Sequence, residues 1–146
     1  MDVNHLNRLE IFDKLHPQAR NGLASLLLER KWKRGSMVIR QGMPSNGVYL
    51  ILLGSIQITR VTEGGAHVVL NTIKAGEMFG TLSSLDGGPR GADCIAKTDV
   101  HAAFLPREHF ISLMKGKSML ALGFQVSVIR SIFSDIRRTN DQLAEL

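Results

Sequence analysis

The chain has 146 residues, a formal net charge of +5 and a single cysteine. A chain of this length forms one domain that buries about 68–70% of its unfolded surface, and one thiol excludes an internal disulfide, a CxxC redox pair and a cysteine-held metal or iron–sulfur cluster. The positive balance suits a polyanionic partner, but the charges are scattered; with no secretory leader and no run of about eighteen apolar residues, the expectation is a cytoplasmic domain without membrane contact.

Residues 1–34 read as N-terminal helices. Leu6, Leu9, Ile11, Phe12 and Leu15 recur at three- and four-residue spacing, His16-Pro17 interrupts, and a second helix from Pro17 to Glu29 carries Leu23, Leu26, Leu27 and Leu28. The basic group Arg30-Lys31-Trp32-Lys33-Arg34 closes this segment. It reads as a solvated turn opening a loop or strand rather than as a nucleic-acid contact.

Between 35 and 106 the texture is that of an antiparallel β-roll or jelly roll. Short β-branched runs, Met37-Val38-Ile39, Val48 to Leu53, Ile56 to Val61, Val68 to Ile73, Cys94 to Lys97 and Val100 to Leu105, alternate with glycines. Glu63-Gly64-Gly65 reads as a hairpin turn. Cys94 sits in an apolar strand and reads as a buried structural thiol.

One stretch in this region, residues 76–96, has a different character. Phe79-Gly80-Thr81-Leu82-Ser83-Ser84 offers a turn glycine and then small and apolar residues that can start a short helix, whose first N–H groups have no acceptor within the helix. Asp86-Gly87-Gly88-Pro89 turns the chain back and delivers Arg90, a planar donor fork suited to phosphate. Together these are the parts of a site for a small anion.

After Pro106 the pattern returns to helix, first Arg107 to Leu113 and then residues 118–146. Met119, Leu122, Val126, Ile129, Phe133, Ile136, Asn140 and Leu143 follow one another at alternating spacings of three and four. Met119, Val126, Phe133 and Asn140 take the a positions, and the others take d. A stripe this narrow predicts a parallel homodimer, with Asn140 fixing register; the alternative is an amphipathic helix packed on its own domain.

The cassette resembles the phosphate-binding segment of cyclic-nucleotide-binding domains, a phenylalanine-glycine-glutamate-leucine run followed by arginine, a small residue and alanine, in Phe79, Gly80, Leu82, Pro89, Arg90 and Ala92. Arg40-Gln41-Gly42, Val48-Tyr49-Leu50-Ile51 and Gly54-Ser55-Ile56-Gln57-Ile58 are similar to the same family in the same order. Arg137 to Leu143 resembles the end of the long helix that, in bacterial catabolite-activator-like (Crp/Fnr) transcription regulators, precedes a helix-turn-helix. The resemblance implies a ligand site at Phe79, Gly80, Thr81, Leu82, Ser83, Arg90, Gly91 and Ala92. Arg90 and the N–H groups of Leu82 and Ser83 would hold the phosphate of a cyclic nucleotide, cyclic AMP or cyclic GMP.

The sequence departs from that pattern twice: Thr81 stands where the family has the ribose-binding glutamate, and Gly91 where it often has serine or alanine. These departures leave room for the same fold as a ligand-independent dimerisation module or a sensor of another small anion. A regulatory domain belonging to a channel or kinase is a third reading. DNA contact would need a domain that this sequence does not contain. No catalytic residue, metal ligand or cofactor is expected: His5, His16, His67, His101 and His109 lack ligand spacing, and His67 and His101 read as strand-face residues.

Overall fold

The computed structural model describes residues 1–144, and the side chains of all of these except Thr139, Gln142, Leu143 and Ala144. The N-terminal segment holds α1 (Asn4–Asn7), a short 3-10 turn (Glu10–Phe12) and α2 (Pro17–Leu26). Pro17 occupies the first turn of α2, where its missing N–H costs nothing, and the His16 ring accepts from Gln18 N at 3.2 Å.

The helix that the leucine spacing predicts to Glu29 stops at Leu26, because Leu27 is extended and the chain enters β1 (Leu28–Trp32). β1 pairs antiparallel with β8 (Val100–Pro106), Leu28 opposite Phe104 and Trp32 opposite Val100. The roll therefore begins at residue 28 rather than 35. Leu28 is exposed rather than part of a helix face, and Arg30 and Lys31 lie in an edge strand, a usual place for charges that block further pairing.

The other expected strands form close to their predicted positions. One sheet has the order β1, β8, β3 (Gly47–Leu53), β6 (Met78–Phe79); the second has β2 (Met37–Ile39), β7 (Asp93–Ala96), β4 (Ser55–Val61), β5 (His67–Lys74). Every pairing is antiparallel, so the molecule is the expected β-roll. Between the sheets lies a core of Ile39, Tyr49, Ile51, Ile56, Phe79 and Phe104 with their neighbours. Tyr49 stacks on Phe79 with ring centroids 5.0 Å apart, and Phe104 lies 4.8 Å from Tyr49.

A second core covers the outer face of the β1–β8–β3–β6 sheet, where Val48, Leu50, Ala103 and Leu105 meet Leu6, Phe12, Leu23, Phe110 and Phe124 from the helices. β3 is thus buried on both faces, which is why Val48 to Ile51 reads as an unbroken apolar run instead of alternating.

After β8 come α4 (Arg107–Lys115) and α5 (Met119–Ala144). Helix α5 docks on its own domain through Ala121, Phe124, Ser127, Val128 and Ser131, all at least nine-tenths buried. Ser127 Oγ donates to Ile11 O at 3.0 Å, and Arg130 pairs with Asp13 at 3.0 Å. The alternative of packing on its own domain is therefore realised, but by a face other than the heptad stripe. Met119, Leu122, Val126, Ile129, Phe133 and Ile136 are 49–71% exposed. Asn140 is exposed as well, and the Leu143 side chain lies outside the described residues. Contrary to the expectation from sequence, Met119–Arg138 is long and apolar enough by composition to cross a membrane; one of its faces is part of the domain core.

Candidate functional site

The predicted cassette folds as a strand, a tight turn and a short helix. β6 ends at Phe79, Gly80 follows with φ of +83°, and α3 (Thr81–Asp86) starts immediately. Gly80 is required twice over: its left-handed φ disfavours any side chain, and a Cβ there would collide with Nη1 of Arg90. Gly87, also left-handed, ends the helix, and Asp86 Oδ1 accepts from Gly88 N at 2.7 Å to shape the turn back. Arg90 is then fixed through its own backbone, its N–H donating to Met43 O at 2.8 Å and its carbonyl accepting from Gly42 N at 2.8 Å.

A cavity of about 430 Å³ opens beside this turn, walled by α3, residues 89–92, β5 and β6, with one residue each from β2, β4, β7 and α5. All eight residues of the predicted set, Phe79 to Ser83 and Arg90 to Ala92, line it. Apolar walls come from Ile58, Leu70, Ile73 and Met78, and polar ones from Asn71, Asp86 and Asp135.

Arg90 is 4% exposed. Its Nη1 donates to Gly80 O at 3.1 Å and to Ser83 Oγ at 3.0 Å; its Nη2 donates to Asn46 Oδ1 at 2.9 Å and to Gly47 O at 2.7 Å. All four acceptors are neutral, and among the described residues no carboxylate lies within ion-pair distance of the guanidinium. Burial pushes its pKa below the ordinary value while Tyr49 and Cys94 oppose the shift; an arginine nevertheless stays charged. A buried positive charge with neutral neighbours is a place where an anion is stabilised.

Cys94 is buried in the cavity wall, and its thiol is pushed up to about 12, mainly by burial, against the pull of Arg90 and with a smaller push from Asp93. It is an inert wall residue. Asp135, reaching the cavity from α5, has its carboxyl raised by burial, with Arg138 lowering it and Glu77 raising it. Arg138 itself pairs with Glu77 at 2.6 Å, tying α5 to the start of the cassette.

Asn46 and Asp135 are two of the contributors that sequence reasoning misses, with Asn71 on β5 a third. Asn46 lies more than forty positions from Arg90 and reaches it only because the Pro44 and Pro89 backbones bridge; Asp135 lies on a helix read as a dimer seam. Nothing local marks either. His67 is exposed on β5, and His101 on β8 meets Glu29 at 3.2 Å. Both are strand-face residues, as expected.

Relatives with this architecture are known. A CRP-like cAMP-activated global transcriptional regulator of Mycobacterium tuberculosis is 30% identical over 141 residues, 97% of this chain and 61% of the regulator. A cAMP-dependent protein kinase regulatory subunit of Aspergillus niger is 33% identical over 109 residues, 75% of this chain and 26% of the subunit. These are regulatory proteins rather than catalytic ones, and the chain spans less than two thirds of each. The fold matches the crystal structure of a cyclic nucleotide-binding domain from Methylobacillus flagellatus with a TM-score of 0.86 at 21% identity, over 97% of this chain and 83% of the other. The family model of the cyclic nucleotide-binding domain matches residues 29–117, from the first strand through α4 and so across the whole cassette, and with CRP-like regulators among its relatives the chain belongs to the cyclic nucleotide-binding domain family.

Proposed function

We propose that the chain is the ligand-sensing and dimerisation domain of a cytoplasmic, CRP-like transcription regulator and that its ligand is a cyclic nucleotide of the cyclic AMP type. The observation that carries this reading is the buried Arg90 guanidinium, set in a cavity on the cassette with no carboxylate within ion-pair distance of it among the described residues. Arg90 and the N–H groups of Leu82 and Ser83 take the phosphate, Thr81 stands at the ribose, and Phe79, Gly80, Gly91 and Ala92 shape the wall. The exposed stripe of α5 pairs with that of a second copy, and a ligand beside Asp135 shifts how the helices meet if it binds one arrangement better than the other. DNA would be contacted by residues outside this sequence, and the domain has no catalytic role of its own.

Titration calorimetry of the chain with cyclic AMP, cyclic GMP and linear AMP tests this. Selective micromolar binding of a cyclic nucleotide supports the reading, and absence of heat with all three overturns it.

A second reading keeps the fold and the dimer but dispenses with the nucleotide. It is favoured by Thr81 in place of a carboxylate and by the four protein oxygens that already satisfy Arg90. It predicts a dimer in sedimentation whose helix pairing no cyclic nucleotide alters.

A further inference from the structure

A second cavity, of about 720 Å³, shares only Asp135 with the cassette cavity. The N-terminal segment around Glu10, the turn between β5 and β6, and α5 border it. Ile11 and Leu52 contribute apolar wall, and six charged side chains line the rest: Arg8, Arg130 and Arg137 against Glu10, Glu77 and Asp135.

Half of these charges are answered from within the fold. Arg130 pairs with Asp13 at 3.0 Å, and Arg138, which does not line the cavity, pairs with Glu77 at 2.6 Å and with Asp135 at 3.5 Å. Arg8, Arg137 and Glu10 are left over. Among the described residues none of these three side chains has an ion partner or a hydrogen bond.

A fourth polar group is left over inside the cavity. Ser127 on α5 is satisfied within the fold, its Oγ lying 3.0 Å from Ile11 O and 3.1 Å from Gly123 O. Ser131, one turn later, is 8% exposed and lines the cavity, yet its hydroxyl has no partner among the described residues. Buried polar groups in folded proteins are nearly always hydrogen-bonded, and each exception calls for a reason. A ligand in the cavity supplies one.

We infer that this cavity is a second ligand site, separate from the cassette, for a small amino dicarboxylate. Two carboxylates match Arg8 and Arg137, whose forks take a carboxylate through paired hydrogen bonds; an ammonium matches Glu10; and a short carbon chain rests against Ile11 and Leu52. The Ser131 hydroxyl donates to one of the carboxylates. Inorganic phosphate is a poorer complement, because it concentrates its charge on one centre and offers Glu10 only repulsion. The assignment does not depend on what the cassette binds.

Calorimetric titration of the chain with L-glutamate tests this, against glutarate, which lacks the ammonium, L-glutamine, which lacks one carboxylate, and inorganic phosphate. Circular dichroism checks the fold of each variant. L-Glutamate is expected to give saturable heat, and the other three weaker binding. Arg8→Gln and Arg137→Gln should each weaken L-glutamate about five- to tenfold, and Ser131→Ala should weaken it too. Glu10→Gln should bring the affinities of glutarate and L-glutamate together, which a purely structural role for Glu10 would not do. No heat with L-glutamate, tighter binding of phosphate than of L-glutamate, or L-glutamate affinity unchanged in folded Arg137→Gln and Ser131→Ala proteins overturns the inference.

Discussion

The cassette cavity and the outer face of α5 are both incomplete, in opposite chemical senses. In the cavity a cation is withdrawn from water and surrounded by neutral acceptors, so what it lacks is negative charge. On α5 six large apolar side chains stand about half exposed or more along one helix face, so what it lacks is apolar cover. The first deficit is local and geometrically exacting, and it suits a small molecule. The second is long, shallow and undirected, and it suits another helix. Asp135 belongs to both regions, lining the cavity from the helix that carries the stripe.

Substitutions that remove one deficit and leave the other are the sharpest way to separate these regions. Arg90→Ala should have the largest effect, reducing cyclic nucleotide affinity more than about a hundredfold in calorimetry, since the buried cation of the cassette is lost outright. It should leave far-UV circular dichroism unchanged and sedimentation still dimeric; a monomer would show that the two regions are not separable.

Ile129→Lys with Phe133→Lys is the converse. It should yield monomers in sedimentation, because a pair of like charges would have to be buried at the interface. A persistent dimer would place the contact elsewhere.

Thr81→Glu comes next. It should tighten cyclic AMP about ten- to a hundredfold by adding a charged acceptor for a ribose hydroxyl, and it should leave a 2′-deoxy analogue unaffected. Equal gains for both would remove the ribose assignment.

Cys94 offers a smaller, pH-dependent effect. Its folded pKa of about 12 lies above the ordinary thiol value, so the native state holds the proton more tightly than the unfolded chain does. That contribution to stability is complete below about pH 8.5 and is lost as pH rises toward the folded value. Melting temperature should fall with pH across this window, less steeply in Cys94→Ala, and native Cys94 should resist alkylation at neutral pH until the protein unfolds.

The smallest effect is expected from Arg138→Ala. It removes a partly exposed ion pair with Glu77 and should cost about 0–1 kcal/mol in chemical denaturation.

How much of this could be read in advance depended on distance along the chain. The cassette was legible because its parts are consecutive: turn glycine, helix start, second turn and arginine lie within a dozen positions, and each has a local conformational reason. The strands between Met37 and Leu105 were legible because glycines separate them. Leu28 to Trp32 was not, since leucines at helical spacing run into it and only pairing with β8, about seventy residues later, makes it a strand. β6 has two residues, too few for any period to show. On α5 the exposed stripe was legible and the buried one was not. Ala121, Phe124, Val128 and Ser131 keep a three-four rhythm, but small and polar members hide it beside the larger residues of the stripe. Asn46 had no local signal at all, because its role exists only once the loop before β3 closes on Pro89.

The burial of β3 on both faces bears on how the molecule comes apart. Tyr49 and Ile51 belong to one core and Val48 and Leu50 to the other, so neither layer can open without exposing a strand that the other also needs. Unfolding should therefore proceed in one step, with fluorescence from Trp32 beside Tyr49 tracing the same transition as the loss of helix from α5. Amide hydrogens of β3 should exchange only through the global event, last of all in the chain.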